Sequence, residues 1–128
     1  MQNPQNLKYT KEHEWVAVDG NKVVVGITQF AADQLGDIVM TELPEVGKIL
    51  QKDKAFGVVE SVKSVSDVFA PLSGKILEIN TQVTENPGVI NQDPYKAGWL
   101  VKMEISNNQE LEGLMSADQY TKFLEESH

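Results

Sequence analysis

The alternation of apolar and polar residues predicts a chain built mainly of short β-strands. Two short, mostly apolar stretches, 15–18 and 22–27, flank residues 19–21, where Gly20 marks a tight β-hairpin turn. Further strand-like stretches are separated by turn residues and lie at 37–43, 55–60, 67–70, 75–79 and 99–105. We therefore expect a mainly β fold.

Two parts of the pattern predict helix. Thr28 is a favourable N-cap for a short internal helix that runs through Leu35 and is closed by Gly36. The C-terminal segment carries two capping-box patterns, at residues 106–109 and 116–119. Apolar side chains at helical spacing accompany them, and we interpret these as core packing: Leu111, Leu114, Phe123 and Leu124.

The 128 residues are interpreted as a single domain, 1–128. It consists of a β-rich body at about 7–105 and a helical C-terminal extension at about 106–126. Within the body, residues 80–98 contain several helix and strand breakers and are expected to be irregular. No run of apolar residues approaches the roughly 18 expected of a membrane span, and the first residues match no signal or transit peptide. These features predict a cytoplasmic protein.

Composition excludes several kinds of function. The chain has no cysteine, so a thiol nucleophile, a thiolate zinc site and disulfides are impossible. The 11 basic residues are all lysine and the formal net charge is −8, which excludes a basic nucleic-acid-binding surface and disfavours anionic membranes. The only histidines are His13 and His128. We expect no nucleic acid or membrane as a partner, and no metal.

His13 lies between Glu12 and Glu14, a setting that would raise its pKa and suit a general base. The simpler interpretation, a structural histidine at the start of a strand, is favoured. No spacing singles out a catalytic pair among the many carboxylates. We therefore expect no catalytic residues.

Lys63 is the residue that points to a function. It lies in the middle of the predicted strand–turn–strand at residues 55–70, among small side chains, and a Pro-Gly turn follows at 71–74. A lysine at a protruding hairpin tip has the geometry needed for covalent attachment of a long acyl cofactor. Most exposed lysines are merely solvated cations, so this pattern alone indicates only a candidate group carrier.

Sequence motifs along the whole chain resemble those of the glycine cleavage system H-protein family. They include residues 13–15, 25–28, 35–37, 43–47, 57–63, 66–67, 70–74, 78–80, 90–91, 94–95 and 98–100. The segment Glu60-Ser61-Val62-Lys63 is the most specific of them, since other lipoyl and biotinyl domains more often show Asp-Lys-Ala or Met-Lys-Met.

The resemblance implies a barrel-sandwich hybrid of the lipoyl/biotinyl type, with lipoate attached as an amide to Lys63. It implies a non-catalytic carrier that takes an aminomethyl group from glycine decarboxylase (P-protein) to aminomethyltransferase (T-protein). Dihydrolipoyl dehydrogenase (L-protein) then reoxidises the dithiol. A lipoate ligase or a lipoyl/octanoyl transferase would be a further partner. A carrier that visits several enzymes is expected to be a monomer.

The resemblance also implies a surface cleft for the loaded arm. Glu14 and Asp67 match positions suited to holding its ammonium end, and Glu12 is a weaker candidate. Phe30 and Gln34 depart from the family, where histidine is common at both positions. Two alternatives remain at this point: an H-like lipoyl relay or regulatory protein that hands lipoyl groups to other acceptors, and an enzyme built on His13.

Overall fold

The computed structural model describes residues 3–127, so His128 lies outside the described residues. Within this range the chain is mainly β, as the sequence predicts. The strands are β1 (Lys8–Tyr9), β2 (Glu14–Asp19), β3 (Lys22–Ile27), β4 (Ile38–Glu42), β5 (Ile49–Leu50), β6 (Ala55–Ser61), β7 (Val65–Phe69), β8 (Gly74–Ile79) and β9 (Val101–Ile105). The helices are α1 (Gln29–Leu35), α2 (Thr81–Glu85), α3 (Val89–Gln92) and α4 (Ala117–Ser127), and a 3₁₀ helix covers Asn108–Gly113.

The strands form two antiparallel sheets. The larger has the order β1-β2-β3-β9-β8-β5, and the smaller has the order β4-β6-β7. A continuous apolar core includes residues from both sheets, such as Val25, Val59, Val68 and Met103. Burial of these side chains is the main force that holds the two sheets together.

The first hairpin and the first helix form where the sequence predicts them. Gly20 has a φ of +64°, a conformation that glycine adopts without strain. The Thr28 hydroxyl caps α1 by accepting a hydrogen bond from the Ala31 amide at 3.2 Å. Gly36 ends the helix with a φ of +81°.

The prediction that residues 80–98 are irregular is wrong in part, because they contain α2 and α3. These helices have five and four residues, too few to show an apolar period. Asn80 fixes the segment: its side-chain oxygen caps α2, and its amide donates to the carbonyls of Ala97 and Trp99 at 2.9 and 2.7 Å. A single buried asparagine therefore organises a loop that its glycines and prolines suggested was irregular.

The C-terminal segment is helical, with one shifted cap. The predicted capping box at residues 106–109 is wrong by one residue, since Asn107 caps the 3₁₀ helix. The second box is confirmed: the Ser116 amide donates to Gln119 Oε1 at 2.8 Å, and the Gln119 amide donates to Ser116 Oγ at 3.2 Å. The segment is held to the body by a parallel stack of Tyr120 on Tyr9, with ring centroids 4.7 Å apart.

None of the helices within residues 3–127 has both the length and the apolar character needed to cross a membrane.

Candidate functional site

Lys63 lies in the short loop between β6 and β7, in the turn where the sequence predicts it. The strand β7 begins at Val65, two residues earlier than predicted, so the loop is only three residues long. Ser61 is buried below it, and its hydroxyl oxygen accepts hydrogen bonds from the amides of Lys63 and Ser64 at 3.3 and 3.1 Å. The Ser61 amide donates to the Ser64 carbonyl at 2.8 Å. The backbone that carries Lys63 is therefore fixed, while its side chain is exposed.

The loop between α1 and β4 lies against the stem of Lys63. A methyl group added at Gly36 would be 3.4 Å from Lys63 Cε and 3.9 Å from Nζ, so the lysine crosses directly over this glycine. Asn91, in α3, holds the loop in place: its amide donates to the Gly36 carbonyl, and its oxygen accepts from the Ile38 amide, both at 2.9 Å. The unpredicted helix α3 thus supports the surface beside the hairpin tip.

Glu14 is an almost fully buried carboxyl group. It is 2% exposed, accepts a 2.6 Å hydrogen bond from the Thr10 hydroxyl, and accepts a 3.3 Å hydrogen bond from the Phe69 amide. Burial raises the pKa of Glu14 from 4.5 to about 7, because water no longer solvates the charge. The two hydrogen bonds act in the opposite direction. Glu14 therefore changes its ionisation near neutral pH.

A cleft of about 250 Å³ opens beside Glu14. Its lining comes from the start of the chain, the β5–β6 loop, the end of β7 and the segment before α4. The lining residues are Tyr9, Thr10, Lys11, Glu12, Glu14, Lys52, Asp53, Phe69, Pro71, Gly113, Leu114 and Met115. The structure brings Glu12 and Glu14 together in this cleft. Local sequence patterns do not predict the wall at 113–115, because its contact with β1 joins residues more than a hundred positions apart.

Asp67 lies outside this cleft. Its side chain is exposed and lines a separate groove of about 350 Å³ with Glu42, Lys48 and Val58. Alternation along β7 places it on the same face as Val65 and Phe69. Asp67 therefore stands between the hairpin tip and the residue whose amide binds Glu14.

His13 packs among aromatic rings. Its Nδ1 lies 2.8 Å from the Tyr120 hydroxyl oxygen, and its ring centroid is 4.7 Å from that of Phe30. The same Tyr120 oxygen lies 2.9 Å from the Thr28 hydroxyl. His13 thus connects β2, α1 and α4, which fits the structural interpretation. Within residues 3–127, no group of histidine, aspartate and glutamate side chains is arranged to hold a metal ion.

The chain matches the family model described as glycine cleavage H-protein over residues 7–127. It is 56% identical over 123 residues to the glycine cleavage system H protein of Symbiobacterium thermophilum, covering 96% of each chain. It is 54% identical over 123 residues to that of Carboxydothermus hydrogenoformans, covering 96% of this chain and 95% of that one.

A solved structure is also similar. It is the crystal structure of a glycine cleavage system H protein from Mycobacterium marinum, 39% identical, with a TM-score of 0.83 over 94% of this chain and 97% of that one. This match confirms the barrel-sandwich architecture. The chain belongs to the glycine cleavage H-protein family, the non-catalytic carrier subunits of the glycine cleavage system.

Proposed function

We propose that this chain carries lipoate as an amide on Lys63 and presents it in turn to the enzymes of the glycine cleavage system. The observation that carries this proposal is the position of Lys63, exposed at the tip of a hairpin whose backbone is fixed by Ser61. When bound, lipoate supplies the sulfur that accepts a one-carbon unit from glycine and, later, the dithiol that is reoxidised.

The surroundings of Lys63 fit such an attachment. The amine stands at the end of a flexible four-carbon stem, where a modifying enzyme can reach it. Gly36 leaves room for that stem without a clash. Because hydrogen bonds fix the loop backbone, the mobility of the arm comes from side-chain and cofactor torsions rather than from unfolding of the hairpin.

Glu14 suits the amino end of the one-carbon unit. An ammonium group in the cleft would favour the ionised carboxylate, and the two would pair where little water competes. Glu12 is exposed in the same cleft and adds negative charge there. Asp67 lies closer to the hairpin tip, and we propose that it attracts the same cation outside the cleft.

The partners follow from this role. They are glycine decarboxylase, aminomethyltransferase and dihydrolipoyl dehydrogenase, together with a lipoate ligase or a lipoyl/octanoyl transferase. A net charge of −8 favours association with basic surfaces on each of them. The cytoplasmic location stays a prediction, which fractionation of the producing cells tests.

Mass spectrometry tests the attachment site. The intact chain, coexpressed with a lipoate ligase in the presence of lipoate, should gain one lipoyl group. Lys63→Arg should gain none, since arginine keeps the charge but cannot form the amide. Lys22→Arg is the matched control, because Lys22 is also exposed beside a hairpin turn. A lipoyl group that persists in Lys63→Arg would refute the assignment.

Exchange of carbon dioxide tests the role in glycine cleavage. The lipoylated chain, mixed with a glycine decarboxylase, should support glycine-dependent exchange of labelled bicarbonate into glycine. A fully lipoylated sample without exchange would contradict the glycine cleavage role and favour the relay alternative.

A further inference from the structure

Four exposed apolar side chains lie in the loop that carries Lys63 and on the neighbouring strands β4 and β7. Val39, Met40, Val62 and Val65 are 52, 45, 73 and 61% exposed, and we call them the apolar patch. Across residues 3–127 the other large apolar side chains of comparable exposure are Val18, Val46, Ile49 and Leu77, none of which is beside the hairpin tip. Exposed apolar residues that gather in one place mark an interaction surface, whereas scattered ones need no explanation.

Strand register shows how the apolar patch is built. Met40 lies opposite Glu60, and Glu60 lies opposite Val65, so Met40 and Val65 flank Glu60 on the outer face of the small sheet. Val62 directly precedes the lysine. Val39 is the extra residue where the β4–β6 register shifts, and it also faces outward.

A row of acidic groups borders the apolar patch. The next cross-strand row on the same face is Glu42, Val58 and Asp67. With Glu60, this places three carboxylates next to the patch, and no ion pair involves any of them within the described part of the chain. A partner that fits this face has an apolar contact strip bordered by lysine or arginine.

We propose that the apolar patch is the docking surface for the enzyme that attaches lipoate to Lys63; this rests on the proposed function. That enzyme must bring its active site to Nζ, about 6 Å from the backbone by ordinary bond lengths, so its surface has to contact the neighbouring residues. Enzymes that use the loaded arm act at its far end and need not approach the hairpin as closely.

A second copy of this chain fits the apolar patch poorly. Four side chains offer only a few hundred Å², which is less than the roughly 800 Å² per partner of a stable dimer but suits the brief contact of an enzyme with its substrate. Two copies would also bring their acidic rows together.

The reaction at this surface is simple acyl transfer. Neutral Nζ of Lys63 attacks the carbonyl carbon of a lipoyl–adenylate mixed anhydride. The new C–N bond replaces the C–O bond to the phosphate, AMP leaves, and the nitrogen loses one proton. No electrons are transferred to or from the chain.

The test is a variant that makes the apolar patch polar with little change of shape, Met40→Gln/Val62→Thr/Val65→Thr. Val39 is left in place because it belongs to the β-bulge. The matched control, Val18→Thr/Val46→Thr/Ile49→Thr, removes exposed apolar groups elsewhere. Lipoylation by a lipoate ligase with lipoate and ATP is followed by intact mass. We expect kcat/KM to fall at least tenfold in the patch variant, mainly through KM, and less than twofold in the control.

A second measurement separates docking of the ligase from later steps. Both variants are lipoylated to completion by long incubation and assayed for bicarbonate exchange with glycine decarboxylase, where both should stay within twofold of the parent chain. Circular dichroism and thermal unfolding verify that both are folded. A parent-like lipoylation rate in the patch variant would overturn the proposal, as would an equal loss in the exchange assay. A parent chain that accepts no lipoyl group would instead overturn the proposed attachment.

Discussion

Replacement of Glu14 by glutamine is expected to stabilise the chain at neutral and higher pH, although it changes a buried, hydrogen-bonded side chain. Burial raises the pKa of Glu14 from 4.5 to about 7. Between pH 4.5 and pH 7, the carboxyl group is therefore protonated in the folded chain but ionised in the unfolded chain. The contribution of Glu14 to stability is therefore greatest below pH 4.5, falls between pH 4.5 and 7, and is constant above that. The difference in pKa corresponds to about 3 kcal/mol.

Urea unfolding of the parent chain and Glu14→Gln, between pH 4 and pH 8, measures this effect. The difference in unfolding free energy between the two isolates Glu14, because the other titrating groups are common to both. The variant should gain about 3 kcal/mol relative to the parent from pH 4 to pH 8. Glu12→Gln removes an exposed carboxyl from the same cleft and reports the effect of lost charge alone.

A pH-independent difference between the parent and Glu14→Gln would refute the reasoning. It would mean that water reaches Glu14 well enough for the carboxylate to ionise at little cost in the folded state. The burial argument for a cation site in the cleft would then fail with it. A carbon NMR titration of the Glu14 carboxyl gives the same answer directly, with a midpoint near 7 expected.

Three further substitutions test the packing around the site. Gly26→Ala would place a methyl group 2.6 Å from the Trp15 indole and should destabilise the chain by about 1–3 kcal/mol in urea, with altered tryptophan fluorescence. Tyr120→Phe removes the hydroxyl beside Thr28 and should cost about 1 kcal/mol, with faster amide exchange confined to the C-terminal helix; unchanged exchange would contradict this. Ser61→Ala should slow lipoylation several-fold in an intact-mass time course while the unfolding free energy falls by about 1 kcal/mol.

The parts of the fold that local chemistry determines could be predicted from the sequence. The Gly20 turn, the Thr28 cap and the capping box at residues 116–119 each depend on residues within a few positions of one another. Helices α2 and α3 could not be predicted, because they are too short to show an apolar period and are fixed by contacts to residues such as Ala97 and Gly36. Asn80 caps α2 locally, but its amide is held by the distant carbonyls of Ala97 and Trp99, and α3 has no side-chain cap.

In the candidate site too, some features depend on nearby residues and others on residues far apart in the sequence. The sequence places Lys63 in a turn between two strands, and the structure puts it there. The buried Glu14 carboxyl accepts a hydrogen bond from the Phe69 amide, which is 55 residues away in the sequence. One wall of its cleft comes from residues 113–115. The resemblance pairs Glu14 with Asp67, but the structure places Asp67 in a different groove.

The register shift at Val39 has a consequence for how the chain behaves at high concentration. Strand β4 is an edge of the small sheet, and an edge strand with exposed apolar side chains is a template for pairing with another chain. The extra residue interrupts the even ladder of amides and carbonyls and increases local twist, so a flat incoming strand finds no matching register. Val39 and Met40 can thus stay exposed beside the lysine without initiating aggregation. Deletion of Val39 would remove that protection.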